Sequence, residues 1–152
     1  MTKFELTLMA FVKSIDEELS VTFVKDGYYF LSAENTVNID LTDFDDCGFM
    51  RHLKEIHGCE WADELDLHLW SILHEIGHYE TECDIDEDDA EQELRFLLSL
   101  TDESVAHDTE VQNMYFNLTS EYYATEWAKD WVAENFTQAK KISNLIRKNR
   151  KG

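Results

Sequence analysis

Residues 73–79 read Leu73-His74-Glu75-Ile76-Gly77-His78-Tyr79, and the spacing of the two histidines sets the expectations for the rest of the chain. Four steps along an α-helix turn the backbone by about 400°, so His74 and His78 project from nearly one face. Side chains so placed can hold a single metal ion. Glu75 stands about 100° round the same helix from His74, within reach of a water at that ion without being a ligand. Ile72, Ile76, Gly77 and Tyr79 carry no charge. That suits a helix half buried beside a metal, where a fixed charge would have to be desolvated.

Three protein ligands are needed if a water is to take the fourth position around such an ion. The segment Glu121-Tyr122-Tyr123-Ala124-Thr125-Glu126-Trp127-Ala128 reads E-x-x-A-x-x-aromatic-A and offers Glu121. Ala124 and Ala128 give its helix a smooth face, so that it can lie close to another helix and bring a carboxylate to the two histidines. Tyr122 and Tyr123 are candidate donors to a developing oxyanion. The rivals for third ligand are Asp84, Glu82, His107 and Glu126. Asp84 has the offset of an extended HExxHxxGxxD pattern, but Thr81 stands where that pattern has glycine and the turn is harder to make.

Two weaker constellations accompany the motif. Cys47, His52, His57 and Cys59 form C-x4-H-x4-H-x-C, of which only the histidine pair obeys ligand spacing. Asp84, Asp86 and Asp88 imitate the start of a calcium loop, yet the sixth position is Asp89 rather than Gly and the twelfth is Arg95 rather than Glu.

Working outward, Phe4, Leu8, Phe11, Val12, Ile15 and Leu19 recur at helical spacing and predict an N-terminal amphipathic helix. The runs around Val21, Phe23, Tyr28, Phe30 and Leu31 flank Lys25-Asp26-Gly27, and Thr36 to Leu41 alternates. They predict a small three-stranded antiparallel meander. Beyond Asp43 the reading is helical, with helices over roughly 45–57, 61–81, 88–100 and 104–136, a break near Asn117 to Ser120, and acidic loops. The whole is an α+β fold, mostly helical, with one domain over 1–139 and a basic helical tail over 140–152. Trp61, Trp70, Trp127 and Trp131 are expected to pack the helices around the site.

Charge narrows the function classes. The 152 residues hold 33 Asp and Glu against 13 Lys and Arg, a formal net charge of −20, and no proline. Six of the basic groups lie in 140–152, leaving the body with seven against 33, a net −26. Such a body is repelled by phosphate backbones and anionic lipid, so no direct nucleic-acid or membrane contact is expected of it. The stretch Glu80 to Glu93 carries nine carboxylates in fourteen positions. No apolar run reaches the length of a membrane span, Leu6 to Val12 does not read as a secretory signal, and three cysteines make no disulfide framework. The expectation is a cytoplasmic protein with a basic protein partner.

HEIGH followed by ExxAxxWA resembles the ImmA/IrrE family of small cytoplasmic zinc metallopeptidases. The resemblance implies a zincin-like active-site helix, Zn²⁺ held by His74, His78 and Glu121, and Glu75 as general base. It also implies a substrate of the DNA-binding repressor type, often encoded on phages or other mobile elements. The layout corresponds over roughly residues 20 to 135. Trp131-Val132-Ala133 stands where the family often has a Leu-Met-Pro-like sequence, and the 43 residues from His78 to Glu121 imply an inserted acidic helix. The competing expectation is a non-catalytic acidic protein that sequesters a basic, DNA-binding partner.

Overall fold

The computed structural model describes residues 1–25, 29–41, 48–100 and 109–150. Thr2 caps α1 (Lys3–Ile15) by accepting from the Glu5 N–H, and Leu8, Phe11 and Val12 form its buried face. Strands β1 (Ser20–Val24), β2 (Phe30–Leu31) and β3 (Thr36–Asp40) follow. Five helices lead on: α2 (Phe49–Glu55), α3 (Leu67–Thr81), α4 (Glu87–Leu98), α5 (Thr109–Phe116) and α6 (Thr119–Glu134). The last described helix is α7 (Phe136–Arg150). Short 3₁₀ turns at Ala62–Glu64 and Glu82–Asp84 bracket α3. Among the described residues, no helix is long and apolar enough to cross a membrane.

The sheet corrects the expected three-stranded antiparallel meander. Its order is β1-β3-β2, with β1 parallel to β3 from Ser20↔Thr36 to Val24↔Asp40, and only the two-residue β2 antiparallel to β3. Burial explains the order. Val37, Asn38, Ile39 and Asp40 are all buried, so β3 is covered on both faces, and placing it centrally pairs both of its edges. The alternation in TVNID is the same for a central and an edge strand, and so it did not fix the direction of pairing. The 11 residues between Val24 and Thr36 include β2, which runs back antiparallel and so lets β3 return parallel to β1.

At the centre of the molecule lies α3. Asp66 caps it by accepting from the His68 N–H at 2.9 Å. Leu69, Trp70, Ile72, Leu73 and Ile76 have no exposure at all, so the helix is apolar around most of its girth, as a core helix must be. Glu80, the charged residue that follows the motif, is exposed. Trp70 is anchored through its indole N–H to the Ala62 carbonyl at 2.8 Å and lies 6.0 Å from Trp61.

The closest neighbour of α3 is α6, whose buried face is Glu121, Ala124, Thr125, Ala128 and Val132. Gly77 sets the separation. A Cβ built on it would stand 2.4 Å from the Ala124 carbonyl oxygen and 3.0 Å from its Cα. Only a hydrogen fits there, so the two backbones touch.

The basic tail is a core element. Ala139, Ser143 and Ile146 of α7 are fully buried. Ser143 Oγ accepts the Asp66 N–H at 2.8 Å, and Asn149 donates to Thr7 Oγ1 of α1 at 2.8 Å.

The Gly77 contact makes a direct expectation. Gly77→Ala drives a methyl group into the α6 backbone and is expected to cost about 1–3 kcal/mol, the usual range for overpacking. It should also weaken any metal binding by His74, His78 and Glu121, because α6 carries Glu121. Urea denaturation and metal titration of the variant check both effects, and an unchanged affinity would mean that the separation of α3 and α6 does not govern the site.

Candidate metal centre

His74 and His78 lie one turn apart on α3, and Glu121 approaches from the first turn of α6. Glu121 Oε2 stands 2.6 Å from His74 Nε2 and 3.1 Å from His78 Nε2, and the two imidazole nitrogens are 3.2 Å apart. Each residue thus offers one donor atom, all within 4.8 Å of one another. A triangle with these edges has a circumradius of about 1.7 Å, shorter than the ~2.1 Å of a zinc–nitrogen bond. A single ion off its plane reaches all three corners.

The tautomer of His74 points the same way. Thr125 Oγ1 donates to the Glu121 carbonyl at 2.9 Å and lies 3.0 Å from His74 Nδ1. Its proton is committed to the carbonyl, so the hydroxyl can only accept from the ring. His74 therefore donates through Nδ1, and its Nε2 is the atom that faces Glu121 and His78. Phe49 packs edge-on against the His74 ring at 5.2 Å.

Glu75 lines a cleft of about 450 Å³ together with Tyr29, Leu31, His78, Tyr115 and Glu121. Burial pushes its carboxyl above the usual range, against the pull of His74 and His78 and of the Leu31 N–H, with Glu121 adding to the rise. Burial opposes the His78 cation, but the Glu121 carboxylate outweighs it and lifts the pKa to about 9. Burial likewise opposes the Glu121 anion, and the two histidines more than reverse that, holding it well below the usual range. The two shifts describe one buried ion pair, each charge stabilising the other.

The other candidates are placed elsewhere or lie beyond description. Tyr122 donates to Glu126 at 3.2 Å and packs on His57, and Tyr123 is 41% exposed. Neither lines the cleft, whereas Tyr29 and Tyr115, from distant segments, do. Tyr29 pairs through its hydroxyl with His68 Nδ1. Glu126 is engaged by Lys129 at 3.0 Å and lies 3.5 Å from His57. Glu82 and Asp84 occupy the exposed turn after α3, from which Glu82 lines the cleft without joining the triangle, and Asp86 caps α4 by accepting from the Asp89 N–H. His107 and Cys47 lie outside the described residues. Among the described residues only His74, His78 and Glu121 bring three metal-ligating groups together, so His52, His57 and Cys59 form no second centre there.

His52 and His57 form a different feature. Both rings are buried, 5.9 Å apart; among the described residues none of their four nitrogens has a hydrogen-bond partner, and the nearest charge is Glu126, 3.5 Å from His57 Nδ1. Burial, with help from His57 and Arg51, lowers the His52 pKa from 6.5 to about 4.

Two expectations follow from these contacts. Thr125→Val removes the acceptor for His74 Nδ1–H and should weaken metal affinity by about 10–100-fold, while Thr125→Ser keeps it. Competition with a chromogenic chelator reads the difference. For His52, a folded pKa below the unfolded value means that the unfolded chain binds the extra proton. Stability is then intact above pH 6.5 and falls as the pH drops toward 4, by up to about 3 kcal/mol at 1.4 kcal/mol per unit. His52→Leu should flatten that part of a denaturation profile measured against pH, and an unaltered slope would exclude His52 as its source.

Comparison of the chain with protein-family models, with curated proteins and with solved structures finds no match in any of the three.

Proposed function

We propose that this chain is a zinc-dependent peptidase that hydrolyses a peptide bond in a basic protein partner, of which a DNA-binding repressor is the type. One observation carries the reading: two imidazoles and a carboxylate converge on one point beside a cleft that a third-party carboxylate, Glu75, also lines. The donor set of two nitrogens and one oxygen suits Zn²⁺ and leaves a fourth position open.

Bound there, Zn²⁺ supplies Lewis acidity, lowering the pKa of water toward ~7 and polarising a carbonyl oxygen. The chain's own groups do the rest. Glu75 accepts the proton of the attacking water and returns it to the departing amine nitrogen. Its raised pKa makes it a better base near neutrality than an exposed carboxylate. Thr125 keeps the His74 lone pair on the metal side. Since β3 is central, the sheet edge beside the cleft is that of β2, with Tyr29 and Leu31 in the wall. An extended peptide laid along that edge would cross the face of Glu75. The −26 body favours capture of a basic partner.

Metal content and Glu75→Gln test the reading together. Protein purified without chelator should hold about one zinc per chain. Glu75→Gln should keep that zinc while cleavage of basic peptides falls by about 10²–10⁴-fold, the usual share of a general base. Absence of zinc ends the proposal. A chain that binds a basic partner equally well with either residue, and cleaves with neither, is a sequestering protein.

A further inference from the structure

The surfaces of α1, α4 and α7 suit one another. Leu6, Ala10 and Phe11 of α1 and Lys141, Ile142 and Leu145 of α7 line a predominantly apolar groove of about 540 Å³. Leu6 is 51% and Leu145 47% exposed along it. The groove is basic at its margin: α7 has no acidic residue, Lys141 stands in the wall, and Lys148, seven positions on, lies on the same side of the helix.

In α4 the same features appear with opposite charge. None of its residues is buried. Ala90, Leu94, Leu97 and Leu98 fall on one stripe at helical spacing, and the three leucines are 56%, 45% and 77% exposed. Glu87 extends the stripe toward the N-terminus, Glu91, paired with Arg95 at 2.6 Å, flanks it on one side and Asp89 on the other, and Glu93 turns back to accept the Ser120 N–H. The lengths agree as well. At 1.5 Å per residue, Ala90 to Leu98 spans about 12 Å, and so does Leu6 to Ser14 along the groove.

We propose that the groove between α1 and α7 receives the α4 helix of a second copy of this chain. The leucine stripe enters the groove, and the flanking carboxylates meet Lys141 and Lys148. Local complementarity prevails over the net repulsion of two acidic molecules because distant charges are screened beyond a Debye length of about 8 Å at physiological ionic strength. The contact joins two different patches and is therefore heterologous. It is independent of the proposed peptidase activity.

Sedimentation of the full chain, over about a hundredfold range of concentration at physiological salt, tests it. The mass should rise above that of the monomer. Leu145→Asp closes the groove and Leu94→Asp spoils the stripe, and each alone should remain monomeric. Mixed together, they should form a one-to-one pair, since one variant keeps its helix and the other its groove. Both leucines are exposed, so unchanged circular dichroism and melting are expected; Leu6→Asp and Leu97→Asp provide a second pair should either variant unfold. A wild-type chain that stays monomeric throughout overturns the proposal. So does assembly that the mixture fails to restore, which would mean like-with-like pairing. Binding of a monomeric chain to phosphatidylglycerol vesicles would assign the groove to lipid instead.

Discussion

Everything at the centre depends on how closely α3 and α6 approach. The distance is fixed where the missing side chain of Gly77 meets the backbone of Ala124. Glu121 lies one turn before Ala124 on α6, and His74 and His78 flank Gly77 on α3. A contact between one glycine and one carbonyl therefore places a carboxylate against two imidazoles that are 43 or more residues away in sequence. The close contact sets the three donor groups against one another without help from an ion, the kind of preorganisation a metal site needs.

Electrostatics then acts on the geometry that packing has set. Glu121 is 9% exposed and Glu75, half-buried, lines the cleft beside it, so both charges are partly withdrawn from water. Each is tolerated only through its neighbours. The two carboxylates are driven in opposite directions: Glu121 stays ionised because both histidines face it, and Glu75 is pushed toward the protonated form chiefly by burial. Two groups of one residue type thus acquire separate chemistries, one suited to holding a cation and the other to exchanging a proton.

The parts of this arrangement that were legible in the sequence are local. Two histidines four apart share a helix face wherever that helix lies, and Ala124 and Ala128 announced a close helix contact. Thr125 was readable by the same rule, being four residues from Glu121, but its role emerges only when His74 is opposite. Tyr122 and Tyr123 misled because adjacency in sequence is not adjacency on a helix: successive positions turn by about 100°, carrying Tyr123 to the exposed side. The cleft tyrosines, Tyr29 and Tyr115, come from segments whose approach only tertiary packing decides. Strand direction failed for a similar reason, since the pairing of β1 with β3 is imposed by the covering of both faces of β3. In the tail, the charges of Lys140, Lys141, Arg147 and Lys148 obscured the quieter spacing of Ala139, Ser143 and Ile146.

That last helix has a consequence for the order of events during synthesis. The N-terminus of α3 is held by Ser143, whose Oγ accepts the Asp66 N–H, and by Arg147, whose Nε lies 3.7 Å from the Asp66 carboxylate. A nascent chain that has emerged only as far as α6 already contains His74, His78 and Glu121 and the Asp66 cap of α3, yet it lacks the two α7 groups that hold Asp66 itself. The centre is complete in composition before it is complete in support. A chain halted before Arg147 would thus carry the three residues of the triangle without the contacts that α7 makes to the start of their helix.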